Sequence, residues 1–173
     1  MKAVIPNQRR NITDIVPAAA PPNYLSEAQL NALTTAYQWW YDDAKTPASR
    51  CIRGRYWLAY LIMRFTGARL GEVLSLDDTL DIDYRNHEIR MPTLKRRKQT
   101  SRQVFLPAQV IAETATYLAD HPNMRGKIFR LDQSNVRKVF LERCKDAGLP
   151  RNMAHPHILR HTRAIEMLRA GVP

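Results

Sequence analysis

Three short segments carry residue types suited to holding an anion and moving a proton. In Thr66-Gly67-Ala68-Arg69-Leu70-Gly71-Glu72, Arg69 follows a glycine turn at the start of a predicted helix. Backbone N–H groups and the helix dipole favour negative charge there. Glu72, three residues on, shares its face and can hold the guanidinium in place. Alone, such a pair is also what an ordinary surface carries, at about 0.3–0.5 kcal/mol. In Pro156-His157-Ile158-Leu159-Arg160-His161, the proline places His157 in the first turn of another helix. The positive helix end disfavours imidazolium, which keeps His157 neutral and able to accept a proton. A spacing of three sets Arg160 on the adjoining face. Ile158, His161, Ile165 and Leu168 share a different face, so His161 is expected to pack or to support. The third segment is Lys95-Arg96-Arg97-Lys98-Gln99-Thr100-Ser101-Arg102. Most charge runs are solvated turns, but on a nucleic-acid binder a basic hairpin is a natural phosphate or groove contact. No Cys or carboxylate near His155, His157 and His161 completes a metal site, so no metal and no cofactor are expected.

The elements that must position these segments are mostly helical. Ser26 caps a helix closed by Gln29 in a capping box, with Leu25 and Leu30 as a staple, running to about Tyr41. Arg53 to Phe65 is apolar almost all round and predicts a central buried helix, ended by Thr66-Gly67. Leu70 to Ser75 starts a short one. Three strands are predicted at about 79–83, 87–91 and 103–106, with Tyr84 to His87 as the first turn. Pro107 opens a helix to about Ala119. Ser134 caps a helix over 135–147 whose Val136, Val139, Phe140, Cys144 and Ala147 form one stripe, ended by Gly148. Pro156 opens the last helix, 157–170. The fold class is mainly α with a small three-stranded antiparallel sheet, an α+β arrangement. Residues 1–23, with Pro6, Pro17, Pro21 and Pro22, read as an arm or linker, and 24–173 as one domain.

The chain has 173 residues and a net charge of +11. Residues 1–89 hold 10 basic and 10 acidic side chains, whereas 90–173 hold 17 and 6, so the whole excess lies in the second half. Such asymmetry points to a polyanion, most simply nucleic acid. No apolar run approaches the roughly 20 residues of a membrane span, and Met1 to Arg10 lack a signal core. Two cysteines, Cys51 and Cys144, make no disulfide framework and are expected to be reduced packing residues in a cytoplasmic protein. A generic RNA-binding sheet would need stacking aromatics, and the predicted strands offer only Tyr84 and Phe105.

Taken together, the T-G-x-R-x-x-E segment at Thr66 to Glu72, the basic connection ending in Arg102-Gln103-Val104-Phe105-Leu106-Pro107, and the H-x-x-R-H segment at His157 to His161 resemble the catalytic domain of the tyrosine recombinases, the phage integrase family. The resemblance covers residues 24–173. It implies DNA strand cleavage and rejoining through a 3′-phosphotyrosyl intermediate, without metal. It implies that Arg69 and Arg160 clamp the scissile phosphate, which suits a permanently charged bidentate donor. His157 would exchange a proton with the nucleophile, and Lys95, with Lys98 as alternative, would be the general acid for the leaving oxygen. Glu72 would orient Arg69, with His161 beside the site. Arg96, Arg97, Lys98, Arg102, Arg137, Lys138 and Arg163 would hold the backbone of double-stranded DNA. Two parts of the family pattern, a second His or Trp segment and the nucleophilic tyrosine, do not occur before Pro173. None of Tyr24, Tyr37, Tyr41, Tyr56, Tyr60, Tyr84 or Tyr117 stands where that nucleophile should. The chain is therefore expected to be a cut-off recombinase catalytic domain that binds DNA without cleaving it. The parent would be a nucleoid-associated enzyme, tetrameric on DNA, whereas this chain would be monomeric, with an exposed apolar groove. The alternative is a non-catalytic DNA-binding regulator that keeps the fold.

Overall fold

The computed structural model describes residues 23–93 and 100–171. Among them the chain forms six α-helices and a three-stranded antiparallel sheet of order β1-β2-β3, which is the fold class expected from the sequence. The arm before Asn23, and Lys95, Arg96, Arg97 and Lys98 with their neighbours at 94–99, lie outside the described residues.

Helix α1 (Glu27–Asp42) starts as expected, with Ser26 and Gln29 closing a capping box. Helix α2 (Pro47–Thr66) begins six residues before the apolar run, because Thr46 and Ser49 cap each other and Pro47 occupies the first turn. Its middle, Trp57 to Met63, is buried throughout. It runs through the centre, with α1, α4 (Ala108–Asp120) and α6 (His157–Arg169) packed around it. Tyr37 of α1 stacks on Tyr60 of α2 with ring centroids 4.2 Å apart. Gly54 lets Tyr117 of α4 lie directly on α2: a Cβ there would stand 2.5 Å from the ring.

Helix α3 (Leu70–Leu74) follows, then the sheet: β1 (Ile82–Asp83), β2 (Glu88–Thr93) and β3 (Thr100–Phe105). The first strand is shorter than its predicted span of 79–83. Asp77 Oδ1 takes the Thr79 amide and hydroxyl, and the Asp77 carbonyl takes the Asp81 amide, so 77–81 closes into a turn instead. Conversely β2 and β3 are longer than predicted. Pro92 pairs with Ser101 and Thr93 with Thr100, so part of the segment read as a basic loop is ladder.

Two helix starts shift. Pro107 is the extended residue before α4 rather than its first helical residue. Helix α5 (Gln133–Asp146) is capped by Asp132, whose carboxylate accepts the Asn135 amide, and not by Ser134. Its stripe is as expected, with Val136, Phe140 and Cys144 buried. The loop leading into α5 is pinned from α2: Arg55 donates to the carbonyls of Ile128 (2.9 Å) and Lys127 (3.0 Å). At the far end, Thr162 of α6 accepts the Leu25 amide at 2.9 Å and so ties the entry of α1 to α6. The buried face of α6 is Ile158, Leu159 and Thr162, which corrects the expected stripe through His161, Ile165 and Leu168. Only the first half of the helix crosses the core, and Leu168 near its end is 67% exposed. Cys51 and Cys144 are both free thiols.

Candidate functional site

Gly67 ends α2 in the left-handed conformation, at φ +62°. This turns the chain sharply into Ala68 and Arg69 and aims the Gly67 carbonyl at α6, where Arg160 Nη1 donates to it at 2.9 Å. Arg69 stands at the head of α3. Glu72 reaches back from the first turn: one carboxylate oxygen accepts the Arg69 amide (3.0 Å), the other the Arg69 guanidinium (3.1 Å). Glu72 is fully buried. A second arginine, Arg102 of β3, donates to the same carboxylate at 3.1 Å. Three guanidiniums, those of Arg69, Arg102 and Arg160, thus stand about this one carboxylate.

The electrostatics follow from that count. Burial pushes the Glu72 carboxyl up, but the Arg69 amide and the Arg102 and Arg69 guanidiniums outweigh it and hold it below the usual glutamate value. Arg160 is shifted down, first by desolvation and then by Arg69 and Arg102, with Glu72 opposing. Arginine remains charged under such a shift, so the cleft keeps an excess of positive charge that an anion would relieve. His157 opens α6 and Gln133 opens α5, and both line, with Arg69, a hollow of about 340 Å³ whose walls include Arg137 and His155. A second hollow of about 780 Å³ shares Arg69 and is lined by Arg102, Arg160, Arg163, Phe65 and Met167. His157 is held below the ordinary histidine value by partial desolvation, then by His161, Arg160, His155 and Arg69. That direction favours the uncharged imidazole near pH 7, and its causes are burial and neighbouring cations rather than the helix start alone.

The structure brings Arg69, Glu72, Arg102, His157, Arg160 and Arg137 to one cleft from four elements far apart in sequence. His161 is half-buried and lies edge-on to His157, with ring centroids 4.5 Å apart. Arg163 lines the larger hollow but is also paired with Glu166 at 3.2 Å. Lys138 is exposed and lines neither hollow. Sequence reading missed Gln133 and the Gly67 carbonyl. Gln133 was hidden by placing the start of α5 too late; the Asp132 cap was the available signal. Among the described residues no three His, Cys, Asp or Glu side chains gather as metal ligands, and no helix is long and apolar enough to cross a membrane.

The model of the phage integrase family matches residues 23–173. The chain belongs to the phage integrase family. Tyrosine recombinase XerC of Bifidobacterium longum (strain DJO10A) is 33% identical over 123 residues, covering 61% of this chain and 34% of XerC. The putative integrase/recombinase y4gC of Sinorhizobium fredii (strain NBRC 101917 / NGR234) is 35% identical over 118 residues, covering 62% of this chain and 59% of y4gC. The chain thus spans only part of the length of these phage integrase relatives. The crystal structure of XerA recombinase superposes with a TM-score of 0.68 at 25% identity, over 89% of this chain and 52% of XerA. XerH recombinase bound to its difH substrate, in a pre-cleavage complex, superposes with a TM-score of 0.69 at 24% identity, over 87% of this chain and 44% of XerH. The latter likeness is one of fold.

Proposed function

We propose that this chain is the phosphate-gripping part of a site-specific DNA recombinase that cleaves and rejoins strands through a 3′-phosphotyrosyl intermediate. The observation that carries the proposal is the convergence of Arg69 and Arg160, each braced from behind, by Glu72 and by the Gly67 carbonyl, with neutral His157 beside them. Both guanidiniums keep donors toward the cleft, where a phosphate can take them in pairs. As the attack proceeds, charge grows on the non-bridging oxygens, and preorganised donors of this kind contribute roughly 10²–10³ in rate each. His157, uncharged, can take the proton of an incoming hydroxyl. Lys95, with Lys98 as alternative, is assigned to protonate the leaving 5′-oxygen, by its likeness to the family pattern. Arg137 and Arg163 on the rims, with Arg96, Arg97 and Lys98, are assigned to backbone phosphates; Lys138 lies off the cleft and is the weakest member of that group.

The attacking tyrosine is not among the seven in this chain. None of them lines either hollow. Tyr37, Tyr60 and Tyr117 are core residues, and burial raises their hydroxyls well above the ordinary tyrosine value, Tyr60 to about 12. We therefore assign to residues 1–173 the binding of double-stranded DNA without cleavage. The test has two arms. The 1–173 polypeptide should bind duplex DNA with a steep salt dependence that Arg69→Ala and Arg160→Ala each reduce. The full product of its gene, incubated with nicked suicide duplexes from its own locus, should form a covalent protein–DNA complex. DNA binding without any covalent complex favours the regulator reading; no binding overturns both.

A further inference from the structure

Strand β3 carries a charge at a phase where strands carry core residues. Side chains alternate along it: Thr100, Ser101, Gln103 and Phe105 are exposed, whereas Arg102 and Val104 turn inward, and Leu106, next in that phase, is buried. Across the ladder Arg102 pairs with Met91, which is itself fully buried. A long cation at such a position is costly unless it meets a counter-charge. Arg102 meets Glu72 at 3.1 Å, and among the described residues it makes no other side-chain hydrogen bond. Because the Glu72 carboxylate is buried and shared, Arg102 and Arg69 are joined through it: sheet on one side, the turn after α2 on the other.

We propose that Arg102 is a positioning residue of the phosphate cleft, locking β3 to the Arg69 turn through Glu72 and so fixing where the Arg69 guanidinium stands. This rests on the reading of the cleft as a phosphate grip. It differs from the role expected from sequence, in which Arg102 was one more independent contact to the DNA backbone. The two roles predict different arithmetic. An independent phosphate contact adds its own increment of affinity and its own counterion, a salt slope of about 0.9 per phosphate. A residue acting through Glu72 on Arg69 has nothing left to do once Arg69 is gone, so the pair is strongly non-additive.

The experiment is a double-mutant cycle on the 1–173 chain, with a fluorescent duplex at about 0.1 M salt. Arg69→Ala, Arg102→Ala and the double variant are compared, and Arg102→Lys serves as the conservative rescue. Each single alanine variant is expected to lose about 10-fold in affinity, and the double to lose no more than about 3-fold beyond Arg69→Ala. Arg102→Lys, which keeps a donor for Glu72, should recover most of the loss. Losses that multiply to about 100-fold, with a salt slope that falls by a further unit in the double variant, overturn the positioning role. Arg102→Gln replaces the alanine variant should that one fail to fold. Hydrogen exchange without DNA reads the lock separately. Amides of 70–74 and 100–105 should exchange about 10-fold faster in Arg102→Ala, and unchanged protection there rejects the lock. A wild-type chain that shows no DNA binding overturns the phosphate reading itself, while the exchange result still decides whether the lock exists.

Discussion

Replacing Glu72 by glutamine is the sharpest perturbation of the cleft, because it removes one charge and almost no volume. In the native chain the buried carboxylate accepts from the Arg69 amide, the Arg69 guanidinium and Arg102, at 3.0–3.1 Å. A glutamine can offer one acceptor, and its NH2 must then face an arginine donor. Two guanidiniums lose their counter-charge while Arg160 still stands beside them. Breaking a fully buried pair costs about 3–5 kcal/mol. Here Arg69 and Arg102 are 36% and 38% exposed, so water recovers part of the loss, and about 2–4 kcal/mol is expected. For a domain of roughly 150 residues that lowers Tm by about 4–15 °C at pH 7. The sign with pH is fixed. The folded Glu72 carboxyl lies below its ordinary value of 4.5, so its contribution is fully present above that value and disappears as pH falls through the folded one. Thermal melts from pH 7 to pH 3, read by circular dichroism, should therefore show wild type and Glu72→Gln converging in acid. A gap below about 2 °C at pH 7, or one that stays constant to pH 3, refutes the claim that this carboxylate holds the cleft together.

Three further outcomes follow from the same geometry. Arg160→Lys should keep the fold, with Tm within about 3 °C, yet lose about 10-fold in duplex affinity at 0.1 M salt, because an ammonium cannot both hold the Gly67 carbonyl and present a paired donor; unchanged binding in a fluorescence titration rejects the clamp. DNA affinity should rise as pH falls from 8 to 6, since a docked phosphate favours protonation of His157, whose value in the unbound chain lies below the ordinary 6.5; the slope should approach one proton at most and flatten in His157→Gln. Gly54→Ala should lower Tm despite the better helix propensity of alanine, because the new Cβ would stand 2.5 Å from the Tyr117 ring; overpacking of about 1–3 kcal/mol is expected, and a raised Tm shows that the ring moves aside.

The sequence carried the interior of each element better than its ends. The all-round apolar middle of α2 is buried, and so are Val136, Phe140 and Cys144 of the expected α5 stripe, with Val139 and Ala147 half-buried beside them. The starts of both helices were misplaced because caps are local hydrogen-bond choices between neighbours that look alike. Asp132 and Ser134 are both good caps, and only the fold shows that the Asp132 carboxylate meets an amide. The Asp77 turn has the same origin: a β-rich stretch from Thr79 to Asp83 competes with one short side chain that satisfies two donors, and the side chain wins.

The site divides along a similar line. Types and spacing within one helix turn were enough for the Arg69–Glu72 pair. Partnerships between elements were not, because nothing in a run of cations says which one faces in. Arg102 sits at the end of eight residues that include five cations, and by composition it is indistinguishable from the rest. Alternation along β3 separates it: counted back from Leu106 and Val104, the inward phase falls on Arg102 and not on Ser101 or Gln103. That phase depends on where the strand starts, and a strand placed at 103–106 leaves Arg102 outside it. The misplaced boundary and the misread arginine are thus one error. The buried carboxylate follows from it too: Glu72 needs a single charge partner if Arg102 is in solution, but two cations converge on it when the ladder extends to Thr100. A salt bridge drawn between sequence neighbours becomes a junction between a helix and a sheet, and the positive excess of the second half of the chain gains a fixed point from which to face an anion.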